Sequence, residues 1–245
     1  MIRYKVTIEY EGTGYSGWQR QENQISVQSA IEEALYKFSQ ENALITGSGR
    51  TDSGVHATGQ VAHFDLSKKF ELKNVVNGLN FFLKPQPISI RDCQIVDENF
   101  NARFSAKKRY YRYFILNRNS PAAIDSKRKW WVREELDVEL MQKAAKLLEG
   151  THDFSSFRTS QCQAKSPIKT LDYIKISKHG EVIEIELCAE SFLHRMVRNI
   201  VGCLRMIGNK RWSEKELLEF MEAKTTDQTR YTAPPHGLFL EKIDY

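Results

Sequence analysis

Between Gly47 and Gln60 the chain reads Gly-Ser-Gly-Arg-Thr-Asp-Ser-Gly-Val-His-Ala-Thr-Gly-Gln, four glycines in fourteen residues. This stretch holds one carboxylate, Asp52, and one guanidinium, Arg50, two positions apart. In an extended segment, residues so spaced point to the same side. A guanidinium at that distance lowers a carboxylate's pKa, and its forked donors fix the carboxylate's aim. An ionised, oriented carboxylate can serve as a nucleophile or as a general base. The same composition also occurs in ordinary hairpins, and an Arg–Asp pair can be a plain surface ion pair. The stretch is not a phosphate-binding P-loop, because no Gly-Lys-Ser/Thr follows and the next run reads as a strand. Nor does a second carboxylate sit in the loop beside Asp52. Glycoside hydrolysis typically uses two flanking carboxylates, and two-metal nuclease chemistry needs several acidic ligands.

A second constellation is Lys107-Lys108-Arg109-Tyr110-Tyr111-Arg112-Tyr113-Phe114, with cations and aromatic rings interleaved. Cations of this kind meet phosphates, and aromatic faces stack on unpaired bases. On a strand, Arg109, Tyr111 and Tyr113 share one face, and Tyr110, Arg112 and Phe114 the other. One of those aromatic sets must be core. A third run, His194-Arg195-Met196-Val197-Arg198-Asn199, falls on a helical pattern that puts Arg195 and Arg198 on one face. Trp18-Gln19-Arg20, Phe154 to Arg158 and Trp130-Trp131 could each contact RNA or simply pack. His56, His63 and His194 have no partner at metal-ligand spacing and read as structural or hydrogen-bonding groups. No metal site is expected.

These groups need elements to hold them, and the chain supplies two similar series. Residues 2–10 alternate as a strand; Ser26 can cap a helix carrying Val27, Ile31, Ala34, Leu35 and Phe38 inward. Strand-like 43–48, the Asp52 loop and strand 60–66 follow, then a helix over 72–83 ended by Pro85 and Pro87, then strand 88–96. The second half repeats the order: strand 109–116, helix 138–148, strands 168–178 and 182–189, a helix from 192 to about 207, an added helix over 214–223, and strand 237–243. Two successive β-α-β-β-α-β series predict an α+β protein of two ferredoxin-like (RRM-like) halves with antiparallel or mixed sheets. The expected division is 1–103, carrying the Asp52 loop, and 104–245, carrying the basic-aromatic strand and the basic helix.

The 245 residues suffice for one large domain or two smaller ones, and 41% hydrophobic with 27% charged is ordinary for a soluble globular chain. Nothing approaches a membrane span, and Met1–Val6 opens directly into strand patterning rather than a signal peptide. The four cysteines, at 93, 162, 188 and 203, lack zinc or disulfide-scaffold spacing, so free thiols in a cytoplasmic protein are expected. Net charge is +5, but residues 103–133 hold ten Lys/Arg against one acid, Asp125. That window carries +9, which leaves −4 for the rest and points to a polyanionic partner.

The string Gly49-Arg50-Thr51-Asp52-Ser53-Gly54-Val55-His56-Ala57 resembles the signature of the tRNA pseudouridine synthase A (TruA) family. Gly17–Gln21, Asn101–Ala106, His152–Phe157, Phe192–Asn199 and Gly237–Leu240 resemble further blocks of that family, in the same order along nearly the whole chain. The resemblance implies a central cleft between the halves and a homodimer that spreads the RNA-binding surface over both subunits. It implies isomerisation of uridine to pseudouridine in the anticodon arm, at tRNA positions 38, 39 and 40, with no cofactor and no metal. It places the catalytic role on Asp52, the active-site tyrosine at Tyr111, and basic residues of the pocket at Arg50 and Arg198. A single acid suffices for a reaction that breaks and remakes one bond at a sugar carbon without net hydrolysis. Whether Asp52 attacks C1′ or removes a ribose proton stays open. Two other readings stand beside this one: a non-catalytic RNA-binding protein with two RRM-like halves, and an enzyme of the same family working on a different RNA.

Overall fold

Strand β1 (Ile2–Tyr10) shows why the first half folds as it does: Tyr4, Val6, Ile8 and Tyr10 are buried on alternate positions, the pattern of a strand with one face on a core. The computed structural model describes residues 1–226 and 231–245. The chain forms two compact units, Met1–Lys107 with Leu240–Tyr245, and Lys108–Phe239.

In the first unit β1 is followed by α1 (Val27–Ser39), β2 (Thr46–Gly47), β3 (His56–Leu66), α2 (Leu72–Leu83) and β4 (Ile88–Val96). The strands lie in the order β4-β1-β3 with β2 on β3, and every pair is antiparallel. Ser26 starts α1: its hydroxyl accepts from the Ser29 N–H at 3.1 Å, and the Ser29 hydroxyl receives the Ser26 N–H. This reciprocal box satisfies donors that the first turn would otherwise leave unpaired. Val27, Ile31, Ala34 and Leu35 of α1, and Val75, Leu79 and Leu83 of α2, supply the apolar faces that cover the sheet. Tyr4 and Phe64 stack at 5.5 Å inside this core.

The second unit runs β5 (Lys108–Asn117), β6 (Trp130–Val132), α3 (Val138–Lys146), β7 (Gly150–Asp153), β8 (Ile168–His179), β9 (Val182–Ala189), α4 (Met196–Gly208) and α5 (Glu214–Glu222). The last strand, β10 (Leu238–Asp244), begins in this unit, whose strand order is β10-β5-β9-β8-β7. Met196, Val197, Ile200, Val201, Leu204 and Ile207 bury one flank of α4. The split β-α-β-β-α-β plan expected from the sequence is present in both units.

The differences from expectation are local. Strand 43–48 shrinks to Thr46–Gly47, with Leu44 left 74% exposed; only two residues pair with β3. β6 and β7 are three and four residues long, too short to show a period. α4 starts at Met196, not Phe192, because Arg195 takes a left-handed φ of 64° and ends the preceding turn. Arg195 therefore precedes the helix that carries Arg198, and the two do not share its face as the spacing suggested.

β3 also carries His63, which is buried and whose Nδ1 accepts the Ala102 N–H at 3.2 Å. Beside it Arg3 grips Asp65 with two hydrogen bonds, of 2.8 and 2.7 Å. Burial pushes the imidazole pKa down, the Arg3 charge pushes it further, and Asp65 opposes both. A depressed folded-state pKa means that this stabilisation is complete above the unfolded value, about 6.5, and lost as pH falls below it. Urea midpoints measured at pH 8 and pH 5 should therefore differ more for the wild type than for His63→Asn, whose amide oxygen can accept without titrating. Equal pH dependence in the two proteins would remove His63 from the account.

Candidate active site

The Asp52 loop, residues 48–55, leaves the short β2 and enters β3, so sheet pairing alone cannot hold it. Ser48 donates its N–H to the Val61 carbonyl at 2.8 Å and its hydroxyl to Gln60 Oε1 at 2.6 Å. Gln60, fully buried, returns Nε2 to the Gly49 carbonyl at 3.0 Å. On the other side, residues 11–20 are fastened to the loop. Trp18 donates its N–H to the Thr51 carbonyl at 3.1 Å, and Tyr10 Oη and Thr51 Oγ1 lie 2.8 Å apart. Ser53 Oγ donates to the Tyr15 carbonyl at 3.0 Å, and the Gly12 N–H donates to His56 Nδ1 at 3.0 Å. The Asp52 carbonyl receives the Val55 N–H at 3.1 Å, closing a turn at the loop's tip. The Asp52 side chain is left half-buried on a backbone gripped from both sides.

This grip depends on Gly17. Its φ is +103°, and a Cβ there would stand 2.6 Å from the Thr51 carbonyl oxygen. The obstacle is backbone on both sides, so no side chain can turn away to relieve it.

Arg50 is exposed and donates Nε to Gln19 Oε1 at 3.2 Å. Gln19 in turn donates to Gln28 Oε1 at 2.8 Å, and Gln28 donates to Glu32 Oε1 at 3.0 Å. Glu32 is buried and ion-paired with Arg20. Arg50 thus stands at the end of an ordered polar chain rooted in α1.

The second unit holds the other candidates. Tyr111 is half-buried on β5, with its ring edge-on to Phe192 at 5.1 Å. Two residues on, and on the same face, Tyr113 is fully buried and donates Oη to the Pro234 carbonyl at 2.8 Å. Burial pushes the Tyr113 phenol well above its ordinary pKa, against the pull of the Arg198 charge. Arg198, in the first turn of α4, donates Nε to the Ala233 carbonyl at 2.8 Å. His236 is pushed below its usual value first by burial, with a backbone hydrogen bond to Lys129 opposing and Arg198 adding to the fall. Arg198 thus acts electrostatically on both the Tyr113 phenol and the His236 imidazole.

Of the four site residues expected from sequence, Arg50 and Asp52 lie in one loop of the first unit, and Tyr111 and Arg198 lie in the second. Tyr113 and His236 were not singled out for the site; the face shared with Tyr111, and a histidine inside the Pro234–Gly237 block, were the available signals. Trp18, Phe154 and Phe157 prove to be core. Trp131 is partly exposed and donates Nε1 to the Arg118 carbonyl at 2.9 Å. His194 makes a hydrogen bond to Thr159 at 2.9 Å, and His56 and His63 both accept backbone N–H groups, as structural histidines do. The basic stripe is partly matched by acids: Lys108 to Asp172 at 2.6 Å, Arg112 to Glu184 at 2.7 Å, Arg118 to Glu181 at 2.9 Å. All four cysteines are free thiols. Among the described residues no helix is long and apolar enough to cross a membrane, and no three His, Cys, Asp or Glu gather as a metal site.

Because Gly17 sets the height of the Asp52 loop, Gly17→Ala should move that loop while leaving the rest of the first unit folded. A shift of the order of 1 Å at a reacting group can cost about 10²-fold in rate. The expected result is a fall of that size in kcat, with circular dichroism unchanged. Full turnover in the variant would show that the grip does not position Asp52.

The family description "tRNA pseudouridine synthase" matches residues 6–105 and 144–245. A Wolbachia pipientis wMel protein named tRNA pseudouridine synthase A is 49% identical over 245 residues, covering 100% of both chains. One of the same name from Rhodospirillum rubrum is 46% identical over 245 residues, covering 100% of this chain and 88% of its own. A solved Cbf5-Nop10-Gar1 complex matches 82% of this chain and 54% of its own at 11% identity and a TM-score of 0.33, too distant a likeness to bear on the fold. The match runs through both units and takes in the Asp52 loop, Arg198 and the last strand: this chain belongs to the tRNA pseudouridine synthase family.

Proposed function

We propose that this protein converts uridine to pseudouridine in the anticodon arm of tRNA, at positions 38, 39 and 40, with Asp52 as the catalytic group. Family membership across both units carries the isomerase activity on tRNA. What supports Asp52 is the loop itself: a half-buried carboxylate on a backbone fixed from two sides. The first unit carries the carboxylate and Arg50, and the second carries Tyr111 and Arg198. The protein works in the cytoplasm as a homodimer, with tRNA as its partner.

The target base leaves its stack at a cost of a few kcal/mol. Asp52 acts at the ribose, as nucleophile at C1′ or as general base on a ribose proton. The bond from N1 to C1′ breaks, the uracil turns, and C5 bonds to C1′; the C5 proton leaves and N1 gains one. Product and substrate have the same atoms and the same oxidation state, so the reaction calls for no cofactor, metal or energy source. Arg50 orients Asp52 and favours its ionised form. Tyr111 stacks on the base, and Arg198 adds positive charge to the pocket.

Asp52→Asn should lower turnover by about 10²- to 10⁴-fold or more while tRNA affinity is retained. Single-turnover pseudouridine formation and filter binding measure the two. Unchanged turnover would refute the assignment, whereas a wild type that binds tRNA without modifying it would leave a binding protein. Tyr111→Ala should weaken tRNA binding and Tyr111→Phe should preserve it, since the phenyl ring keeps the stacking face. Loss of pseudouridine only outside the anticodon arm, in cells lacking the protein, would move the activity to another RNA.

A further inference from the structure

The turn at 101–107 is not absorbed by the site described above, yet it is among the most tightly fastened surface segments of the first unit. Asn101 Oδ1 accepts the N–H groups of Arg103 and Phe104 at 3.0 and 3.1 Å. The Ser105 N–H donates to the Asn101 carbonyl at 2.9 Å, and Ser105 Oγ receives the Asn101 N–H at 3.0 Å. Ala102 is fixed at both backbone groups, its N–H on His63 Nδ1 at 3.2 Å and its carbonyl on Tyr245 Oη at 2.8 Å. The Lys107 N–H donates to the Asp244 carbonyl at 2.8 Å. Ala102 and Ala106 are the buried positions, and their small side chains let the turn sit close on the unit.

All of this order displays one apolar ring. Phe104 is 80% exposed, and the Arg103 guanidinium lies over it at 5.4 Å. Isolated exposed apolar residues are common and need no explanation when they sit on loose or incidental surface. Here every backbone N–H from Asn101 to Ser105 is hydrogen-bonded, and the buried neighbours are alanines. The ring is therefore held outward by construction; it is not frayed out. An aromatic face with a guanidinium against it is the pair of groups that stacks on unpaired nucleobases. Arg103 and Lys107, both exposed, flank it on the same turn and suit the adjoining phosphates.

Resting on the reading of this chain as a tRNA-modifying enzyme, we propose that Phe104 is a substrate-positioning residue that stacks on an unpaired base of the bound tRNA outside the catalytic pocket. The occupant is an RNA base, not a second copy of the chain. A protein contact would ask for apolar area around the ring, and the turn offers exposed cations instead.

The test uses the full-length protein and tRNA in an Asp52→Asn background, so that binding is read without turnover. Phe104→Ala should weaken tRNA binding by about 5- to 100-fold, Phe104→Trp should restore it, and Phe104→Leu should not, because a base stacks on a flat ring. The slope of log affinity against log salt should stay the same, since no phosphate contact is removed. Thermal midpoint and sedimentation should match the parent, the ring being almost entirely in solvent. Unchanged affinity in Phe104→Ala, full rescue by leucine, or a loss that tracks a change in oligomeric state would each overturn the proposal. If the parent itself fails to bind tRNA, the functional reading falls and this inference falls with it. If the parent binds and Phe104→Ala binds equally well, only this inference is lost.

Discussion

The hydrogen bond from the Trp18 N–H to the Thr51 carbonyl is the constraint on which the candidate site depends. It joins two loops that neither β1 nor β3 could position by strand pairing. The carbonyl accepting it belongs to the residue immediately before Asp52, so any movement there is carried directly to the carboxylate. Around it the tie is repeated with different chemistry: a phenol to a threonine hydroxyl, a serine to a carbonyl, a backbone N–H to an imidazole. Buried polar groups that are each satisfied hold one geometry better than apolar packing does, because a displaced partner leaves an unpaired group in a low dielectric. A loop built this way can carry an ionised group without drifting toward water.

In the second unit the ordering principle is electrostatic. Tyr113 and His236 are both titratable, and burial shifts both toward the neutral form. Arg198 lies close enough to act on each, and a carbonyl fixes its Nε. The basic strand β5 follows a different logic. Lys108, Arg112 and Arg118 are matched with acids across the sheet or turn. Such partly exposed pairs contribute little stability and exchange partners readily. A stripe that reads +9 in sequence therefore meets solvent with less charge than its composition suggests.

Both β-α-β-β-α-β series could be read from the sequence because each long element has its own period: two in β1, near 3.6 in α1, α2 and α3. The short strands escaped because three or four residues contain no period to detect. The start of α4 was misplaced for a different reason. Phe192 and Leu193 continue the apolar pattern upstream, and only the left-handed Arg195, a conformation uncommon outside glycine and asparagine, breaks the helix. At the site, the loop and its carboxylate were legible from residue types alone. Tyr10, Gln19 and Gln60 were not, since their roles arise from contacts between segments 9 to 41 residues apart. Residue type tells where chemistry can happen; the tertiary contacts tell what aims it.

The chain of amides behind Arg50 shows why that aiming is done with uncharged groups. A glutamate at position 19 would bind the guanidinium more strongly but neutralise it, and would place a second acid near Asp52, raising the pKa of that carboxylate. Glutamine orients the guanidinium through a single acceptor and adds no charge. Its own amide then donates to Gln28, which donates to Glu32, so each link has one direction. The only anion in the series, Glu32, is buried, stands three hydrogen bonds from Arg50, and is already paired with Arg20. Position is transmitted along the series while its charge stays at the far end.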